Sequence, residues 1–304
     1  MTEPTPVPIG DDAPYCEGPQ AELRSPQTRM MPGSCDTHMH ICGPGSEFPY
    51  DGRRIYTPPD ALVPAYIQVM NSLGIERVVL VQPSIYGADN RVLLKAMIDL
   101  SAAGYASRAV AVVGFDVRDE QLQTLDRAGV RGLRYNLVDV ADPTVGAPIE
   151  KIRWIAERIA RLGWHVEFLA HVDDYPDLVS IFRDFPTDIV FGHVGYVRIG
   201  KTTEDAGFQA MLELASMGKC WIKVTAPYRI SAGAIPYSDA EGFVRSAVNA
   251  APDRIVWGTD WPHVKISKPM PHDADMCDSF YDWVTDEGMR KRILVDNPTQ
   301  LYGF

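Results

Sequence analysis

Two histidines separated by one residue, His38 and His40 in "CDTHMH", are the first residues here whose spacing suits chemistry. Side chains two positions apart on a strand share a face, so both imidazoles can enter the same space. Further along, His193 stands in "FGHVG" and Asp260 in "WGTDWPH", a stretch that ends on His263. Three imidazoles and a carboxylate brought together permit two chemistries. They can bind one zinc ion, with His38, His40, His193 and Asp260 as ligands, or they can polarise a carbonyl and move a proton without a metal. Asp260 follows an apolar run, where lost solvation is expected to raise its pKa toward a value useful to a general base.

Basic residues fall near the same places. Arg134 lies inside the otherwise apolar "RGLRYNL", and Lys223 and Arg229 flank "VTAPYR". All three are expected to present positive charge to an anionic ligand, since a guanidinium offers paired N–H groups to a planar carboxylate.

These residues need a scaffold that delivers them to one end. Eight short β-branched runs, 35–41, 77–83, 109–115, 131–137, 165–170, 188–194, 220–226 and 254–260, alternate with longer amphipathic stretches. That alternation predicts repeated βα units around a parallel sheet, an α/β chain folded as a (β/α)8 TIM-like barrel. His193 and Asp260 then end strands six and eight, on the catalytic face. Gly74 and Gly104 supply stops for the helices after strands one and two. A doubly wound sheet is the rival, but no GxGxxG follows the first strand. Residues 1–34, rich in proline and without apolar periodicity, read as an extended arm preceding a barrel over 35–304.

Composition narrows the function classes. The chain has 304 residues, 46% hydrophobic and 23% charged, with a formal net charge of −11. That charge opposes nonspecific binding to nucleic acid or anionic membrane, and no basic run offsets it. Five cysteines without a CxxC pair predict reduced thiols rather than a disulfide framework or a cysteine zinc site. No basic, apolar leader opens the sequence, and the expected location is the cytoplasm.

Taken in order, "DTHMH", "GHVG", "WGTDWPH" and the closing "NPTQLYGF" resemble the amidohydrolase superfamily, in its amidohydrolase-related branch. The resemblance covers nearly everything after residue 34. Within that branch "DTHMHICGPGSEFPY", "VQPSIYGADN", "RGLRYN" and "WPHV" are most similar to 2-pyrone-4,6-dicarboxylate lactonase, 4-sulfomuconolactone hydrolase and sugar-lactone hydrolases and isomerases.

The resemblance implies hydrolysis of a small anionic lactone from aromatic catabolism, carboxylated or sulfonated. Asp260 would be the base, His38, His40 and His193 would hold the carbonyl, and no metal would be required; a single zinc is the alternative. Tyr56, Ser84, Tyr196, His171 and His263 join Arg134, Arg229 and Lys223 as expected substrate contacts, with homo-oligomerisation left open. A sugar-lactone isomerase and a zinc-dependent decarboxylase are the other activities that the resemblance admits. A two-metal site is not expected, because Arg134 stands where an anionic bridge belongs and His165 starts its strand at the wrong end. Three departures bear on substrate: Val140 and Tyr196 stand where pyrone lactonases have arginines, and Leu169 where they have a tyrosine. Lys265 and Lys268 in "HVKISKP" are candidates for replacement charge.

Overall fold

The computed structural model describes residues 10–139 and 147–304; Val140 and the first part of the arm lie outside the described residues. Eight parallel strands succeed one another around one sheet: β1 (Cys35–Met39), β2 (Arg77–Val81), β3 (Ala106–Ala111), β4 (Val130–Asn136), β5 (His165–Leu169), β6 (Ile189–Phe191), β7 (Cys220–Val224) and β8 (Ile255–Trp257). A helix follows each: α1 (Val63–Leu73), α2 (Arg91–Ala102), α3 (Asp119–Arg127), α4 (Ile149–Ala160), α5 (Leu178–Phe182), α6 (Ala206–Ser216), α7 (Glu241–Ala250) and α8 (Asp273–Trp283). This is the (β/α)8 barrel that the alternation predicts.

Runs such as "RVVLV" and "CWIKV" are buried almost throughout because helices cover the outside of the barrel and other strands face its inside. Gly74 ends α1 as expected, with φ of 87° and its N–H donated to the Met70 carbonyl. Inside the barrel, Cys35, Val79, Val81, Val110 and Tyr302 form one small apolar cluster, and Val190, Trp221 and Val256 another. His165 lies at this closed end, as expected. A β-carbon at Gly132 would fall 2.5 Å from its ring, so the bare backbone there makes its space.

Three strands differ from expectation in ways that matter. β3 begins at Ala106 rather than Ala109, because Ala106, Ser107 and Arg108 pair in register with Arg77, Val78 and Val79 despite their polarity. β6 and β8 stop at Phe191 and Trp257, so His193 and Asp260 sit in turns beyond the strand ends. Their φ angles of 51° and 64° are left-handed, a conformation that no strand accommodates.

Between Tyr15 and Ser34 the arm carries no helix or extended strand, and it lies on the barrel. Arg24 pairs with Asp275 and Asp278 of α8, Met30 donates its N–H to the Leu73 carbonyl at 2.8 Å, and Cys16 donates its N–H to the Thr57 carbonyl at 2.9 Å. No helix among the described residues is long and apolar enough to cross a membrane.

Candidate active site

The seam between β1 and β8 sets the position of the first two histidines against the acid. Asp260 donates its N–H to the His38 carbonyl at 2.8 Å, and His40 donates to the Trp261 carbonyl at 2.8 Å. Asp36, absent from the sequence candidates, anchors this seam. Its Oδ1 accepts from the N–H groups of His38 and Thr259, and its Oδ2 from Tyr66 at 2.7 Å and Thr259 Oγ1 at 2.6 Å. Burial pushes its carboxyl up to about 6 against the pull of those donors. The sequence signal for Asp36 was only its place beside the histidine pair.

Asp260 is fully buried and its two oxygens have different surroundings. Oδ2 accepts from the Tyr228 hydroxyl at 2.6 Å and from Arg229 Nε and Nη2 at 3.1 and 2.9 Å. Oδ1 has no hydrogen-bond partner among the described residues. It faces Nε2 of His38 at 3.4 Å, of His40 at 3.5 Å and of His193 at 3.9 Å. The expectation of a raised pKa is corrected here. Burial does push upward, but the opposing charge of the Arg229 guanidinium leads the interactions that hold the carboxyl well below its ordinary range. Asp260 is thus a carboxylate at neutral pH, available to take a proton.

The histidines are not equivalent. His40 Nδ1 lies 2.7 Å from the Val81 carbonyl, which can only accept, so the ring proton sits on Nδ1 and a neutral His40 presents a lone pair at Nε2. This corrects its expected role as a donor to a substrate carbonyl. Thr225 Oγ1 already accepts from the His193 N–H at 3.2 Å and lies 2.8 Å from its Nδ1. That hydroxyl can donate to Nδ1 or accept from it, and when it donates the ring proton of His193 lies on Nε2. His38 Nδ1 stands between Lys223 Nζ and Glu167 Oε1, each 3.3 Å away. Burial holds His193 well below the usual histidine range and His38 down at about 3, helped by nearby cations, so both are neutral.

Lys223 is not at the barrel mouth. It lies on β7, wholly buried, where its Nζ pairs with Glu167 Oε2 at 2.6 Å and donates to the Thr37 carbonyl at 2.8 Å. Glu167, on β5, was missed in the sequence because a single acid inside "HVEFLA" carries no motif; its inward register with Lys223 is legible only once the barrel closes. Burial would raise the Glu167 carboxyl, but Lys223, then His38 and Arg134, outweigh it and keep it ionised. The pair forms a charged floor beneath His38.

Above the floor, a cavity with open space of about 10 Å³ is lined by His40, Tyr56, Ser84, Arg134, Asp139, Leu169, His193, Arg229, Asp260, Val264 and Lys265. Arg134 is buried, donates Nη1 to the Gln82 carbonyl at 2.9 Å, and has no carboxylate partner among the described residues. Tyr56 and Ser84 line the cavity together, their hydroxyls 3.3 Å apart. Arg229 lines it too, but is already committed to Asp260. Other expected contacts lie elsewhere. His171 Nδ1 is 2.7 Å from the Tyr196 carbonyl, and its ring packs on Tyr196 away from the cavity. Tyr196 packs edge-on against His193. His263 stands behind Tyr228, its Nε2 3.1 Å from Asp273, and Lys268 is tied to the Ser231 and Gly233 carbonyls.

One zinc ion fits the donor set. Donor atoms of His38, His193 and Asp260 lie within 4.8 Å of one another, and the separations from Asp260 Oδ1 approach the ~3.3 Å edge of a tetrahedral site with bonds of about 2.0–2.1 Å. The surrounding charge opposes it. Arg229 balances Asp260 and Lys223 balances Glu167, while Arg134, a buried cation with no acid partner among the described residues, opposes a dication.

A match to the family described as Amidohydrolase runs over residues 35–304, the whole barrel. The chain belongs to this amidohydrolase family. It is 36% identical over 292 residues to a 2-pyrone-4,6-dicarboxylate hydrolase of Comamonas testosteroni, covering 93% of this chain and 94% of that protein. It is 34% identical over 296 residues to a 4-sulfomuconolactone hydrolase of Hydrogenophaga intermedia, covering 96% and 95%. Among solved structures it resembles a probable 2-pyrone-4,6-dicarboxylic acid hydrolase of Acinetobacter baumannii with citric acid bound, at a TM-score of 0.76 and 28% identity, covering 90% of this chain and 100% of that one.

Proposed function

We propose that this amidohydrolase opens a small lactone bearing a carboxylate or sulfonate, an ester hydrolysis in the breakdown of aromatic compounds, and that it requires no metal. The observation that carries the chemistry is the asymmetry of Asp260: one oxygen fixed by Tyr228 and Arg229, the other bare and ringed by imidazole nitrogens. The lactone hydrolases named among its relatives, and the polycarboxylate in the Acinetobacter structure, support the substrate class.

In this mechanism a water lies between two acceptors, Asp260 Oδ1 and His40 Nε2, and gives its proton to Asp260 as its oxygen attacks the carbonyl carbon. His193, through Nε2–H, donates to the carbonyl oxygen as negative charge develops there. His38 does the same in the form that Lys223 selects by donating to its Nδ1. Preorganised donors of this kind are worth roughly 3–4 kcal/mol each in a dry site. Asp260 then returns the proton to the leaving ring oxygen, giving an acid and an alcohol or enol. A zinc held by His38, His40, His193 and Asp260 would supply a Lewis acid for the carbonyl and a more acidic water.

Arg134 anchors the substrate anion, being a buried cation of the site without an acid partner among the described residues. Replacing it with Met should raise KM for an anionic lactone on the order of 10- to 100-fold while changing KM for the neutral methyl ester little, since a charge-assisted contact needs the charge. Equal losses on both substrates would mark Arg134 as structural. The activity is tested on a panel of carboxylated and sulfonated lactones followed by pH-stat, with and without chelator. Rates should survive prolonged chelation, and stoichiometric zinc whose removal abolishes turnover and whose return restores it would sink the metal-free reading. Five free cysteines suit a reducing cytoplasm.

A further inference from the structure

The cavity above Asp260 has space for about one water and none for a lactone, because a water alone needs some 10–15 Å³. Its lining contains an ion pair between two loops far apart in sequence. Asp139, just after β4, accepts from Lys265 Nζ, beyond β8, at 2.6 Å, and both residues line the cavity with Arg134 and Arg229. The Asp139 side chain is only 14% exposed, whereas Lys265, held at a left-handed φ of 57°, remains 43% exposed and able to turn outward. Lys265, Arg229 and Arg134 together outweigh the burial of Asp139 and lower its pKa.

We propose that Asp139 is a built-in stand-in for the substrate's anionic group: an incoming carboxylate or sulfonate displaces it from Lys265, opening the mouth and completing the substrate site with Lys265 as a second cation beside Arg134. The inference rests on the lactonase reading for its substrate and deepens it. It also accounts for the departure from pyrone lactonases at Tyr196, because the replacement charge comes from the loop after β8 rather than from the one after β6. Selectivity follows. A neutral lactone has nothing to offer Lys265 in exchange for Asp139, so it enters against the closed pair and with a higher KM than its anionic counterpart.

Citrate serves as a probe that cannot be hydrolysed, titrated calorimetrically into the wild type, Asp139→Asn and Lys265→Met, with Asp139→Ser as a second variant should the first melt early. Asp139→Asn and Asp139→Ser remove the competitor and should bind citrate on the order of tenfold more tightly than the wild type, and Lys265→Met on the order of tenfold more weakly. The kinetic counterpart is a lower KM for an anionic lactone in Asp139→Asn than in the wild type. Citrate binding no tighter in the Asp139 variants, no weaker in Lys265→Met, or absent from all four proteins overturns the exchange. Citrate binding in the expected order with no lactone turned over would instead overturn the lactonase reading and leave the exchange standing.

Discussion

Asp260→Asn should lower kcat by at least about 10²-fold, the smaller end of what general-base catalysis supplies, while citrate still binds. The substitution is informative because the two oxygens of Asp260 do different things. An asparagine can place its carbonyl oxygen where Oδ2 now accepts from Tyr228 and Arg229, keeping the side chain's orientation, and its amide nitrogen where Oδ1 now faces the imidazoles. That exchange turns the one bare acceptor of the carboxylate into a donor, so no oxygen remains there to take the proton of a water beside His40. Arg229 loses its counter-charge, and a modest fall in melting temperature should accompany the loss of rate. Rates within tenfold of the wild type under saturating substrate would show that another group accepts the proton and would remove Asp260 from the chemistry.

The parts of this site that were legible in the sequence are those whose position follows from chain direction alone. Once β-branched runs alternate with helical ones, the ends of the runs fall on one face, which places His38, His40, His193, Arg134 and Asp260 together without further information. The rest depends on closure. Whether Lys223 reaches solvent or the interior is a matter of strand register, and a shift of one residue exchanges the two. The partnership of Lys223 with Glu167 joins residues on β5 and β7 that do not neighbour each other in the sheet. The direction of the Asp260 shift is hidden in the sequence for the same reason. Burial is readable from an apolar run, but the opposing charge of Arg229 arrives from a separate loop, at 2.9 Å. The left-handed backbone at His193 and Asp260 has only a weak signature in residue type: histidine and aspartate adopt it more readily than most residues, but neither is a glycine.

The buried floor predicts a large effect on stability that can be separated from its effect on rate. Lys223→Met should destabilise the fold by about 3–5 kcal/mol, seen as a lower urea midpoint, because Glu167 is left as an unpaired charge in the barrel interior. The double variant Glu167→Gln/Lys223→Met removes both charges and should regain most of that loss, since an uncharged pair of similar volume has no desolvation to offset. Its kcat should stay low even so. In the proposed mechanism, Lys223, 3.3 Å from His38 Nδ1, donates there and so keeps the ring proton on Nε2, facing the carbonyl. Methionine makes no such donation, and the side-chain amide that replaces the Glu167 carboxylate can accept the proton at Nδ1 instead, turning Nε2 into a lone pair that repels the developing oxyanion. Stability restored with rate still lost would assign the pair a positioning role through the tautomer of His38; restoration of both together would reduce it to a structural brace.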